Sequence, residues 1–235
     1  MRVTRVTLFL TAFCLLIGVT SYAGGWAIVT LNEFPDYAIA GKTFSGTFSV
    51  RQHGSTLLDG LKPVIRATGA GHSEIKALAT PSGREGEYRF ELTLPKPGEW
   101  NIAIDSRFLQ YLTGSDAMKE SPKVPNAGYV VLPLKVIAQG SAPITISEQQ
   151  RGEWLFNAKG CTGCHTTEIG PDLANLKLQP EYVKRLLADP AATLKISKSQ
   201  YGQMPNLNLK AREINALTEF LLAGKGKAST SFSSF

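Results

Sequence analysis

Five consecutive residues, Cys161-Thr162-Gly163-Cys164-His165, constrain this chain more than any other stretch. Cysteines at i and i+3 share one turn of backbone, so their sulfurs can serve one flat group. A histidine follows at once. The spacing fits covalent attachment of one haem c, with a thioether from each cysteine and the imidazole held beneath the iron. A porphyrin so held would supply much of the apolar centre of a small surrounding unit.

Two other chemistries use a CxxC pair. A redox disulfide of thioredoxin type sits between a strand and a helix, a setting that the flanking residues do not offer. A structural zinc site needs four ligands, and no second cysteine pair follows. The remaining cysteine, Cys14, lies in an apolar stretch near the N-terminus. No structural disulfide is implied.

Residues 1–23 have the pattern of a secretory signal peptide. Arg2 and Arg5 start it, Val6 to Val19 form its apolar middle, and Ser21-Tyr22-Ala23 offers a small-x-small cleavage site. The apolar stretch is short for a membrane span. Cleavage is expected, with an uncleaved N-terminal anchor and membrane association as the alternative. Either way the chain is expected to be periplasmic or otherwise exported, where haem c is attached.

Residues 24–140 have the period-2 patterning of strands. Tyr88 to Leu94 alternates apolar and polar residues strictly. Trp100, Ile102 and Ile104 repeat the pattern after a Pro95-Lys96-Pro97-Gly98 turn, and Phe44, Phe48 and Val50 share a face of an earlier strand. Ile28 to Leu31, Val64 to Ala67, Ile75 to Ala79 and Tyr129 to Ile137 are further candidates. No helix is expected here, and Gly114 to Gly128 reads as an irregular loop. Short strands with Gly/Pro/Ser turns predict an antiparallel sandwich. From Gly86-Glu87-Tyr88 through Gly98-Glu99-Trp100, the segment resembles YtkA-like or FixH-like immunoglobulin-type domains. That resemblance implies binding or assembly rather than catalysis. His53, His72 and Met118 are soft ligands that could form a copper site.

Residues 141–146 form a Ser/Ala/Pro-containing linker, after which the period changes to 3.6. Ser147 and Gln150 form a capping box for a first helix carrying Gly152, Leu155 and Phe156. Glu181 to Ala188 is a second helix, and Ala211 to Ala223 a third, with Ile214, Leu217, Leu221 and Leu222 at core spacing. Residues 225–235 are a Ser-rich tail expected to lack structure.

Residues 147–224 resemble a monohaem class I cytochrome c. The shared features are the CTGCH motif, Gly170-Pro171-Asp172-Leu173 and Gly202-Gln203-Met204-Pro205, with Lys210 as a departure where the family often has a Ser or Thr cap. The resemblance implies an all-α domain, a Pro171 carbonyl bonded to His165, Met204 as sixth iron ligand, and first and last helices that cross. Elimination agrees on the ligand, because Met1 leaves with the signal and Met118 lies in the β region.

Charge adds little. The chain has 25 basic and 19 acidic residues without a basic run, which argues against a nucleic-acid partner. The sequence therefore predicts a two-domain β + α protein, an Ig-like antiparallel β-sandwich followed by an all-α class I cytochrome c domain. It would be a single-electron carrier, not an enzyme, serving redox protein partners. Its alternatives are the haem-bearing subunit of a larger respiratory complex or a copper-handling or redox-sensing protein.

Overall fold

Tyr88, Phe90 and Leu92 are buried while Arg89, Glu91 and Thr93 face solvent, as strict alternation on a half-covered sheet requires. This strand belongs to a computed structural model that describes residues 25–114, 122–166, 169–173, 176–194 and 204–224. The expected leader over residues 1–23, Cys14, Met118 and the tail over 225–235 lie outside the described residues.

Two five-stranded sheets share one core. The first runs β1 (Ala27–Glu33), β3 (Thr43–Gln52), β8 (Glu87–Thr93), β7 (Thr80–Pro81), with β4 (Thr56–Leu57) paired to β3. The second runs β2 (Ala38–Ile39), β10 (Tyr129–Ile137), β9 (Gly98–Asp105), β5 (Val64–Gly69), β6 (Ile75–Leu78). Phe48, Tyr88 and Phe90 from the first sheet meet Ile65, Ile102 and Leu132 from the second. Tyr88 keeps its hydroxyl satisfied in that core, donating to Leu58 O at 2.7 Å and accepting from Leu61 N at 3.1 Å.

The antiparallel expectation fails at one edge. β2 pairs with β10 in parallel, through Ala38 opposite Val136 and Ile39 opposite Ile137. The β region also holds a short helix, α1 (Phe108–Thr113), where none was expected. Asp105 Oδ1 and Ser106 Oγ accept from the amides of Arg107 and Phe108, and the ring of Phe108 is buried. Two local side-chain-to-backbone bonds ahead of the helix and one aromatic anchor start a helix too short to show periodicity.

The later helices are α2 (Glu148–Ala158), α3 (Thr162–His165), α4 (Pro180–Ala188), α5 (Pro190–Leu194) and α6 (Ala211–Leu222). Ser147 caps α2: its hydroxyl accepts from Gln150 N at 3.2 Å, and Gln150 Oε1 accepts from Ser147 N at 3.0 Å. α2 crosses α6 at Gly152. A Cβ there would lie 2.6 Å from that of Phe220 and would strike Ala216 O. At α6, Glu213 supplies what Lys210 lacks as a cap, its Oε2 accepting from Lys210 N at 2.8 Å.

These helices do not form the free-standing all-α domain expected from the sequence. The chain is predominantly β, with six short helices among the described residues. α2 divides its apolar residues between two cores: Leu155 and Phe156 join the helices, while Ala158 belongs to the sandwich core. Trp154 lies 5.6 Å from the Phe34 ring and donates to Pro133 O on β10. Arg151 makes a bidentate pair with Asp36, at 2.8 and 2.9 Å. The reason lies in β1, whose residues Ala27 to Leu31 are buried without alternation. Ala27, Val29 and Leu31 face the sandwich core, so Ile28 and Thr30 need a second cover, and the helical segment provides it.

Candidate functional site

The cover leaves a cavity. One wall is the outer surface of β1 and β3, which contributes Trp26, Ile28, Thr30 and Arg51, and the volume is about 280 Å³. The register places Ile28 directly opposite Arg51. The helical side contributes Cys161, Cys164, His165 and Met204 within a lining of leucines.

The two-cysteine motif is held against the sheet by two glycines. Gly160 ends α2 with φ 79°, and a Cβ there would strike the Ile28 side chain and come within 2.7 Å of Val29 O. A Cβ on Gly163 would sit 3.1 Å from Ile28 Cγ1. Across the same contact Thr30 donates to Lys159 O, and Lys159 Nζ donates to Leu31 O. The motif itself is one helical turn, with the amides of Cys164 and His165 both donating to Cys161 O. Cys161 and Cys164 are free thiols.

Burial pushes the Cys161 thiol up to about 12, with Cys164 adding to it, and pushes Cys164 up to about 11. Both therefore stay protonated at neutral pH, the reverse of the lowered thiol that a thioredoxin-type pair needs. His165 is held neutral by burial, against the opposing pull of the Pro171 carbonyl. Pro171 O lies 2.9 Å from His165 Nδ1. A carbonyl only accepts, so Nδ1 carries the proton and Nε2 keeps a lone pair available as a ligand.

Every site residue read from the sequence thus reaches one place: Cys161, Cys164, His165, Pro171 and Met204 all line this cavity. Among the described residues, the two histidines of the copper set pack on different tryptophans. His53 packs edge-on against Trp26, His72 stacks on Trp100 in the other sheet, and Met118 lies outside the described residues. Sequence reasoning missed the sheet wall. Its signal was the unbroken burial-prone run from Trp26 to Leu31, which a strand covered on one face does not need.

The lining suits a flat apolar group fixed through two thiols, with one neutral imidazole and one thioether facing the same space. It does not suit a bare ion. Among the described residues, no three His, Cys, Asp or Glu side chains converge to hold one, which corrects the metal-binding label in that sense. No helix among the described residues is long and apolar enough to cross a membrane.

No family model matches the chain, and no curated protein matches it. Solved structures that it matches include a superoxide reductase (neelaredoxin) from Ignicoccus hospitalis. That likeness has 14% identity, covers 51% of this chain and 88% of the other, and has a TM-score of 0.29. A CARDB domain from Pyrococcus furiosus, in complex with di-metal ions, shows 13% identity over 51% of this chain and 100% of the other, with a TM-score of 0.28. At those scores neither likeness carries an argument about chemistry. No family model matches and the chain is predominantly β, so the class I cytochrome c and the YtkA-like or FixH-like resemblances do not stand as its family, and the family labels drawn from them are withdrawn.

Proposed function

We propose that this chain is an exported single-electron carrier whose cavity takes one covalently held haem. The reading rests on the site alone. Its carrying observation is that both free cysteines of the CxxCH turn, the oriented His165 and Met204 open onto one apolar cavity. Cys161 and Cys164 would hold the group as thioethers, and His165 and Met204 would ligate its iron. Bound there, a haem supplies reversible exchange of one electron between ferric and ferrous iron.

The protein's own residues do the rest. Pro171 fixes the His165 tautomer, so the ligand lone pair needs no deprotonation step. The leucines exclude water, and a neutral thioether favours the ferrous state. With His165 and Met204 both serving as ligands, the iron would have no free site for a substrate, which favours transfer over turnover. The sheets carry the wall behind the motif, and the electron would pass to or from a redox protein partner or a respiratory complex. Export is part of the proposal, because thioether attachment takes place outside the cytoplasm.

The test is a pyridine haemochrome spectrum of full-length protein made in a host with haem-attachment machinery. One c-type haem per chain, retained through acid–acetone extraction and lost in Cys161→Ala/Cys164→Ala, is the expected result. Extractable haem, or none, would overturn the proposal.

A further inference from the structure

We propose that Arg51, on the β sandwich, is the carboxylate-binding residue of the cavity and holds a propionate of the haem placed there by the proposed function, on which this inference rests.

Three observations carry it. Arg51 lies on β3 opposite Ile28, on the sheet surface that walls the cavity, and lines the same space as Cys161, His165 and Met204. Its Nη1 is buried and without a hydrogen-bond partner among the described residues, and no ion pair there involves it. A buried, unpaired donor on a charged group costs more than one on a neutral group.

The charges around the cavity narrow the choice of partner. Among the described residues its lining holds Arg51 and Lys159 but no Asp or Glu. Lys159 is already engaged, by Glu213 Oε1 at 2.8 Å and Leu31 O at 3.0 Å. Among the described residues Arg51 is the lining cation left over. A guanidinium keeps its proton even when burial lowers its pKa, as it does here, so it cannot escape the cost by neutralising. An apolar group with a carboxylate at its rim satisfies the leucines and the arginine together. Arg51 is thus a binding residue from the sheet, reaching a group that the helices attach.

The experiment compares full-length holoprotein with Arg51→Gln and Arg51→Lys by redox titration from pH 5 to 9. With its guanidinium partner the propionate stays ionised, and the wild-type potential should change little with pH through neutrality. In Arg51→Gln the potential should fall, because a positive charge favouring ferrous iron is gone. A pH-dependent segment should also appear, with its pKa raised by about one unit or more. Arg51→Lys should keep most of the wild-type profile. An unchanged potential and profile in Arg51→Gln, at full haem content, would overturn the assignment. If Arg51→Gln accumulates no haem, Arg51→Lys decides: haem with a wild-type profile supports the role, and no haem sinks it. Wild-type protein without covalent haem would defeat the proposed function first, and this inference with it.

Discussion

Lys159 Nζ lies 2.8 Å from Glu213 Oε1, and the ammonium is buried at 6% exposure where α2 hands over to the cysteine turn. The same nitrogen donates to Leu31 O, so one side chain ties β1 to α6. Glu213→Gln should cost about 2–3 kcal/mol, because it strips the counter-charge from a buried cation. Lys159→Met combined with Glu213→Gln should cost less than the two single changes added together. Urea unfolding of the four proteins measures this, and strict additivity would show that the pair is not coupled.

Gly160 faces both a backbone constraint and a packing constraint. Its φ is 79°, and a Cβ would strike Ile28. Gly160→Ala should therefore cost about 3 kcal/mol, from left-handed strain and overpacking together. Gly71 is the control, with φ 68° and nothing within 4 Å of its Cβ. Gly71→Ala should cost only about 1 kcal/mol, from the backbone alone. Equal losses in thermal unfolding would mean that contact with β1 does not hold the motif.

Acid should loosen α2 from the sheets. The Arg151 guanidinium beside Asp36 holds its carboxyl below the usual carboxylate range. A lowered folded value means that the pair stabilises above the unfolded value near 4 and that this contribution is lost as pH falls through the folded one. Asp36 is 43% exposed, so its share is only about 0.5–1 kcal/mol. Asp36→Asn should be less stable than wild type at pH 7, and the gap should close toward pH 2. A gap that stays constant over that range would remove the pair from the acid response.

On the proposed reading, Met204→Ala should abolish the weak far-red absorption of a sulfur-ligated ferric haem and lower the midpoint potential. The sixth position should then accept added imidazole or cyanide more readily. A variant that keeps its band would move the sixth ligand elsewhere, with His53, packed edge-on against the cavity residue Trp26, as the first place to look.

Much of the molecule was legible in the sequence because local rules governed it. β8 and β9 show their buried faces by alternation, and Ser147 with Gln150 announces the start of α2. The cavity residues Cys161, Cys164, His165, Pro171 and Met204 were legible as a motif and its companions. The rest depends on pairings distant in sequence. Nothing local tells β2 to run parallel to β10, and periodicity finds the apolar face of α2 without saying that Leu155 and Ala158 serve different cores. Arg51 was hidden for the same reason. In sequence it ends a strand, and only the register with Ile28 turns it toward the cavity.

β1 also has a consequence for the order of assembly. Thr30 meets the carbonyl of Lys159 across 129 residues of chain. On the proposed export the chain emerges N-terminus first, so the sheet wall can be in place when the cysteine turn arrives. The contact is slow to find by chain diffusion alone. A preformed sheet makes the search one-sided: the late segment closes against a finished surface rather than folding by itself. The sandwich thus acts as a template during biogenesis, and a defect at Ile28 should first appear as immature protein rather than as a poor carrier.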